Sequence, residues 1–171
     1  MKMGKLMPEV CDTPELPRDR LVSITLDEAT LGPANANVEH EREVAIFDLI
    51  DRNAFALAER DDGPYRLVLS ILDDRLVFNV AGEDDTRLVT HMLSLTPLRR
   101  VMRDYFKVCE SYYDAIRTQP PSKIQALDMG RRAVHDEGSR LLTDRLDGKI
   151  IVDKDTARRL FTLVCALHWK G

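Results

Sequence analysis

Residues 65–95 read YRLVLSILDDRLVFNVAGEDDTRLVTHMLSL, and this stretch decides the fold. It contains three runs of branched and aromatic residues, separated by DD and by AGEDD. Short alternating runs joined by turn residues are typical of an antiparallel meander. We therefore predict strands over residues 65–72, 76–81 and 87–95. Because successive side chains of a strand point to opposite faces, one face of this sheet is apolar and must be covered by helices.

The segments before the meander add a strand and a helix. LVSITL at residues 21–26 is short and rich in branched residues, which predicts a fourth strand. Asn37 is suited to cap a helix that begins just after it, because its side-chain oxygen can accept from the free amides of the first turn. Val44, Phe47 and Ile50 recur at helical spacing, and we predict that they form the buried stripe of that helix.

Three helices are predicted after the meander. The first begins at Thr96, the second follows Pro120 and ends at Gly148, and the third is apolar almost all round. The first helix carries apolar residues at helical spacing: Leu98, Val101, Met102, Tyr105, Val108, Cys109, Tyr112 and Ile116. KIIV at residues 149–152 predicts a short edge strand. The predicted fold class is α+β, with an antiparallel sheet of three to four main strands and one face covered by C-terminal helices.

The totals predict one domain. A chain of 171 residues that is 44% hydrophobic suits a single α+β domain over residues 20–171, and three prolines without periodicity predict a flexible tail over residues 1–19. No apolar run reaches the roughly 20 residues that cross a bilayer, and the first residues lack the apolar core of a secretory signal. We therefore expect a cytoplasmic protein without a membrane partner.

Six strings along the chain resemble one family. They are VEHEREVAIFDLI, GPYRLVLSI, LSLTPLRRV, DYFKVCESYYDAIR, DMGRRAVHDEGS and DTARRLFTLVCALHWKG. Together they are similar to uncharacterised protein family 0262, a family of small alphaproteobacterial proteins of unknown function. The resemblance runs from about residue 20 to the end of the chain. It implies no activity, cofactor or catalytic residue, so any mechanism must be argued from the residues themselves.

Charge and motifs exclude several classes of function. Residues 1–95 hold 10 Lys and Arg against 19 Asp and Glu, whereas residues 96–171 hold 15 against 10. The acidic total argues against nucleic-acid binding, and the split favours docking of the two halves or an anionic partner for the second. The chain contains no GxGxxG, no GxxxxGK[ST] and no two-histidine zinc helix. We expect no cofactor and no metal.

The stretch MGRRAVHDEGS at residues 129–139 has two interpretations. On a helix its charged residues lie four apart and can form an ordinary ladder of ion pairs on a solvated face, which we favour. Alternatively, His135 moves protons while Arg131 or Arg132 holds a carboxylate or phosphate. The glycines at each end support the second interpretation, because a backbone without Cβ atoms lets a ligand or another chain approach closely.

Arginine recurs in adjacent pairs, one pair in each C-terminal helix. The pairs are Arg99-Arg100, Arg131-Arg132 and Arg158-Arg159. Adjacent helical residues point about 100° apart, so each pair straddles the boundary between core and solvent. If the three boundaries converge, they form an anion-binding pocket. If they do not converge, each pair contacts the acidic helix that is predicted to begin just after Asn37.

His91 lies in register with the apolar residues of the third strand of the meander. A core histidine that is hydrogen-bonded to a carboxylate or carbonyl is the favoured interpretation. Burial would lower its pKa and suit it to base chemistry if a cleft opened there.

Three functions follow from these features. The leading hypothesis is a cytoplasmic binding or regulatory module that contacts a partner protein or a small anionic ligand through the arginine-bearing helices. The alternative is a metal-independent enzyme that uses His135 with Arg131 or Arg132 on a carboxylated or phosphorylated metabolite. A third hypothesis is a homodimer through the aromatic helix, which would leave Phe106, Tyr112 or Tyr113 exposed.

Overall fold

The computed structural model describes residues 17–31 and 34–168, so most of the predicted N-terminal tail lies outside the described residues. In chain order the elements are β1 (Leu21–Leu26), α1 (Glu28–Leu31), α2 (Ala36–Asp51), β2 (Phe55–Leu57), β3 (Tyr65–Leu72), β4 (Arg75–Gly82), β5 (Arg87–Ser94), α3 (Thr96–Thr118), α4 (Pro121–Leu146), β6 (Ile150–Val152) and α5 (Lys154–His168). The α+β class is confirmed.

The antiparallel meander is confirmed, and the structure adds its register. β3 pairs with β4 and β4 with β5, both antiparallel, with Leu69 opposite Phe78 and Phe78 opposite His91. Asp73 and Asp74 form the first turn with φ of 49° and 66°. A two-residue hairpin turn in this left-handed region matches the twist of the strands it joins.

The main sheet is mixed rather than purely antiparallel. Its strand order is β1-β3-β4-β5, and β1 pairs with β3 in parallel. A long connection through α1, α2 and β2 joins β1 to β3, and parallel neighbours need such a crossover. The predicted edge strand is present as β6, but it pairs with β2 in a separate two-stranded sheet. The prediction missed β2, which has only three residues.

One face of the main sheet carries the core, as predicted. Leu67, Leu69 and Phe78 on that face are fully buried, whereas Val68 and Met92 on the other face are 37% and 45% exposed. The helices contribute the rest of the core, and α5 is buried on several sides. Among these helices α3 packs against α4, and α4 packs against α5. We call these three helices the helical layer.

Gly138 allows α4 and α5 to approach closely without a break in α4. A Cβ atom placed on Gly138 would lie 2.1 Å from Cζ of Phe161, which is an impossible contact. The neighbouring Gly130 has room, because its nearest contact would be Val108 Cγ2 at 3.8 Å. Gly138 therefore provides close packing within the protein, and Phe161 occupies the space that the predicted approach of a ligand would need.

The predicted buried stripe of α2 is wrong at Val44 and Phe47, whereas Ile50 is half-buried against the core. Asn35, not Asn37, caps the helix by accepting from the Val38 amide at 2.9 Å. Val44 and Phe47 are 42% and 70% exposed. The buried residues of α2 are instead Val38, Arg42, Ala45 and Leu49. This face packs against α5 and β1, and its one long polar side chain reaches the end of α5.

Within residues 17–31 and 34–168, no helix combines the length and the apolar character needed to cross a bilayer.

Candidate functional site

His135 lies buried at the centre of the helical layer. Its ring packs 5.4 Å from the rings of both Tyr105 on α3 and Phe161 on α5. Its Nε2 lies 2.7 Å from Oγ1 of Thr162, and that hydroxyl donates to the Arg158 carbonyl at 3.2 Å. Because the only hydroxyl hydrogen is used in that bond, we infer that Nε2 carries the proton and donates to Thr162.

Burial makes His135 a weak base. Its pKa is lowered to about 4, first by desolvation and then by the positive charges of Arg158 and Arg131. The ring is therefore neutral at pH 7. Its Nδ1 is buried and has no hydrogen-bond partner among the described residues. His135 therefore serves as a packing residue between α3 and α5, and it is poorly suited to proton transfer near neutral pH.

The adjacent arginine pair of α4 shares one carboxylate. Arg131 and Arg132 both pair with Asp128, Arg132 at 3.0 Å, and the pKa of Asp128 is lowered mainly by its hydrogen bond with Arg131. The Arg131 guanidinium also lies 4.9 Å from the centre of the Tyr112 ring, a cation–π contact. Arg131 is therefore held on the α3–α4 boundary by Asp128 and Tyr112 together.

The other four arginines have four separate partners. On α3, Arg99 pairs with Asp74 of the β3–β4 turn, and Arg100 pairs with Glu137 of α4 at 3.3 Å. On α5, Arg158 pairs with Asp136, and Arg159 donates to the Arg52 carbonyl at 3.2 Å. The six guanidinium groups are thus distributed around the helical layer, and none of them forms an ion pair with α2 in the described residues.

A groove of about 630 Å³ between α4 and α5 includes Arg158 but has no surplus of positive charge. Its charged lining residues are Arg140, Lys154 and Arg158 against Asp136, Glu137, Asp144 and Asp153. Four carboxylates against three cations make this groove a poor site for an anion.

His91 is half-buried on β5. Burial lowers its pKa, and the positive charge of Lys149 lowers it further. No hydrogen-bond partner for its ring lies in the part of the chain that the structure describes. It lies on the core-facing side of the sheet, opposite Phe78.

Arg42 on α2 is the functional candidate that the sequence analysis missed. Its side chain is buried, with the residue only 5% exposed. Nε donates to the Ala166 carbonyl and Nη2 to the Leu167 carbonyl, both at 3.3 Å. These carbonyls belong to the last turn of α5, where the helix dipole is negative. No carboxylate lies within ion-pair distance of Arg42 among the described residues.

A cavity of about 500 Å³ lies beside Arg42. The other lining residues are Thr30, Leu31, Ala34, Asn35, Val38, Ile71, Asp74, Leu95, Leu167 and His168. Its one carboxylate, Asp74, is paired with Arg99, so one of the predicted arginines does lie next to this cavity. Among the lining residues Arg42 and Asp74 carry opposite charges, and Arg99, outside the lining, adds one positive charge next to the cavity.

A second cavity, of about 370 Å³, lies between α2, α3 and α5 and shares the lining residues Asn35 and Val38 with the first. Tyr105, Cys109, Thr162 and Cys165 line it. Burial raises the pKa of both thiols and of the Tyr105 phenol, so these groups are neutral at pH 7. Neutral, buried thiols are poor nucleophiles. Among the described residues, no three His, Cys, Asp or Glu side chains come together as a metal site requires.

The aromatic residues of α3 are exposed to different degrees. Tyr113 is 57% exposed and Ile116, one turn away, is 49% exposed. Phe106 and Tyr112 are half-buried. The apolar surface proposed for a homodimer is therefore limited to part of α3, and the dimer remains a prediction.

Comparison with known proteins supports the resemblance seen in the sequence. The Uncharacterised protein family (UPF0262) matches residues 18–170. A UPF0262 protein of Mesorhizobium japonicum is 61% identical over 155 residues, which cover 90% of this chain and 96% of the relative. A relative from Brucella canis is 59% identical over 160 residues, with 93% and 99% covered, and one from Nitrobacter winogradskyi is 54% identical over 169 residues, with 99% of each covered. No solved structure matches. The chain belongs to the uncharacterised protein family UPF0262.

Proposed function

We propose that this protein is a cytoplasmic binding module for a small anionic ligand, and that Arg42 is the main contact for that ligand. One observation carries the proposal: a guanidinium that is nine-tenths buried, without a carboxylate partner in the described residues, lines a cavity of about 500 Å³. Buried charges in proteins are normally paired, because removing an ion from water is costly. An anion in this cavity would complete the pairing.

The chemistry of the guanidinium supports an anion. Arginine has five N–H donors in a planar fork, and the two carbonyls of α5 use one hydrogen on Nε and one on Nη2. The edge formed by Nη1 and Nη2 keeps two parallel N–H groups, which match the two oxygens of a carboxylate or phosphate. The leading hypothesis from the sequence thus moves from the paired arginines of the C-terminal helices to α2, with Arg99 nearby.

A cytoplasmic location agrees with the state of the cysteines. Cys109 and Cys165 are buried free thiols. Free thiols are the usual state of cysteine in a reducing compartment.

The enzyme alternative has less support. It needs His135 to exchange protons near neutral pH and an arginine free to hold the substrate. The pKa of His135 is lowered to about 4, and Arg131 is engaged by Asp128 and Tyr112. We therefore rank the binding module first.

Isothermal titration of anionic metabolites into the full chain tests the proposal. Wild type should bind at least one, and Arg42→Lys should bind it at least tenfold more weakly, because an ammonium keeps the charge but loses the fork. Arg100→Lys is the matched control, because Arg100 pairs with exposed Glu137 away from the cavity. Equal binding by wild type and Arg42→Lys would contradict the proposal, as would the absence of any anion that binds wild type.

A further inference from the structure

The walls of the Arg42 cavity restrict the anion it can hold. We infer that the ligand is a carboxylic acid with a single negative charge and an apolar chain, and not a phosphate or phosphonate dianion. This inference rests on the proposed function, since it assigns a ligand class to the same cavity.

The charges that line the cavity favour a monoanion. Arg42 is the only arginine or lysine whose side chain lines the cavity in the described residues, and Asp74 contributes a carboxylate to the same wall. Arg99 pairs with Asp74 from outside the lining, and both side chains of this pair are about half exposed. The neutralisation of Asp74 is therefore partial, because water screens an exposed pair. A monoanion balances Arg42, whereas a dianion would leave one negative charge near Asp74.

The hydrogen-bond donors around the cavity also favour a carboxylate over a phosphoryl dianion. Dianionic phosphoryl groups have three oxygens to satisfy, and proteins usually meet them with several cations or backbone amides. Here the free edge of Arg42 offers one bidentate contact. The Asn35 side-chain oxygen is already occupied by capping α2, and the Thr30 hydroxyl donates to the Asp27 carbonyl and accepts from the Ile71 amide. One bidentate contact fits the two oxygens of a carboxylate.

The apolar wall of the Arg42 cavity indicates the chemistry of the rest of the ligand. Leu31, Ile71, Leu95 and Leu167 lie around the cavity together with Val38. A volume of about 500 Å³ is far more than a carboxylate group needs, and it falls within the range of cavities that hold small organic molecules. Covering these side chains would contribute about 25 cal/mol per Å² of apolar surface removed from water. The cavity thus fits an acid whose body is hydrocarbon.

The test uses straight-chain carboxylates from propanoate to octanoate, with the corresponding primary amides and alkyl phosphonates, titrated into the full-length wild type at pH 9.5, where the phosphonates are dianions. Carboxylates should bind, with Kd falling about fourfold per added methylene until the cavity is filled, which corresponds to about 0.8 kcal/mol per CH₂. The amides should bind at least tenfold more weakly than the acids. The phosphonates, as dianions, should also be at least tenfold weaker.

Two variants separate this inference from the proposed function. Asp74→Asn should improve phosphonate binding several-fold while changing carboxylate binding less, because it removes the charge that opposes the dianion. Arg42→Lys should weaken all the anions. The inference of a carboxylate with an apolar chain would be wrong if phosphonates bound wild type as tightly as carboxylates, or if Kd did not change with chain length. Either result would still be compatible with an anion site at Arg42. If neither class of anion binds, both proposals fail.

Discussion

Helices α2 and α3 both pack one face into the core, yet only α3 does so in the way its sequence indicates. In α3 the predicted residues Leu98, Val101, Met102 and Tyr105 are buried. In α2 the predicted residue Phe47 is 70% exposed, while an arginine is buried. The difference between the two helices shows that an apolar stripe decides which face of a helix is buried when no second face can pack against the core.

α2 has two competing faces. One holds Val44 and Phe47, and the other holds Val38, Ala45 and Leu49 with a single arginine among them. Burying the second face brings Arg42 to the last carbonyls of α5, which would otherwise lack donors. The small Ala45 also permits close approach to its neighbours. The buried face of α2 thus contains a charged residue, and that residue supplies hydrogen-bond donors to the C-terminal carbonyls of α5.

The largest expected effect distinguishes the two faces of α2. Leu49→Ala should lower the free energy of unfolding by about 2–5 kcal/mol, because Leu49 is fully buried in the core and its truncation leaves a cavity. Leu98→Ala on α3 should cost a similar amount, since Leu98 is equally buried. Urea denaturation measures both. A cost below about 1 kcal/mol for Leu49→Ala, with Leu98→Ala in the expected range, would mean that α2 is oriented differently.

A smaller effect concerns the contact of α3 with α4 through Tyr105 and His135. The folded-state pKa of His135 is about 4, below the value of about 6.5 for an unfolded chain. The unfolded state therefore binds the proton first, so this contribution to stability is complete above pH 6.5 and is lost as the pH falls towards 4. Because the ring is buried, we expect a loss of about 2–3 kcal/mol over this interval.

The measurement is chemical denaturation of wild type and His135→Gln between pH 7 and pH 4. The wild type should lose stability more steeply than the variant, because glutamine does not titrate. His40→Gln, on the exposed face of α2, is the matched control and should leave the pH dependence of stability unchanged. A His135→Gln variant with the same pH dependence as wild type would show that His135 keeps an ordinary pKa in the folded protein.

Most of the fold could be predicted because its signals are local. The alternation in β3, β4 and β5 and the Asp73-Asp74 turn specify the meander within about 30 residues of sequence. The parallel pairing of β1 could not be predicted in this way, since it depends on a crossover of 38 residues between Leu26 and Tyr65. β2 is too short for a pattern to develop.

The candidate site was harder to predict for a related reason. The arginine pairs were conspicuous in the sequence, but nearby acids such as Asp128 neutralise them, and i,i+4 partners are common on helices. Arg42 was inconspicuous because a single cation in an acidic helix normally points to water. Its burial follows from carbonyls that lie more than 120 residues away in the sequence. A signal existed in the spacing of Val38, Arg42, Ala45 and Leu49, which is helical but interrupted by one charge.

The smallest expected effect tests most sharply whether α2 buries the face with Leu49 and exposes the face with Phe47. Phe47→Ala should change the free energy of unfolding by no more than about 0.5 kcal/mol, because the ring is 70% exposed and alanine has the higher helix propensity. A phenylalanine in a core would cost about 3–5 kcal/mol when truncated. The two outcomes differ by several times the error of a denaturation experiment, and Leu49→Ala on the same helix supplies the internal comparison. A large loss at Phe47 would show that the ring is covered in solution, so that the apolar stripe indicated by the sequence does face a packed surface.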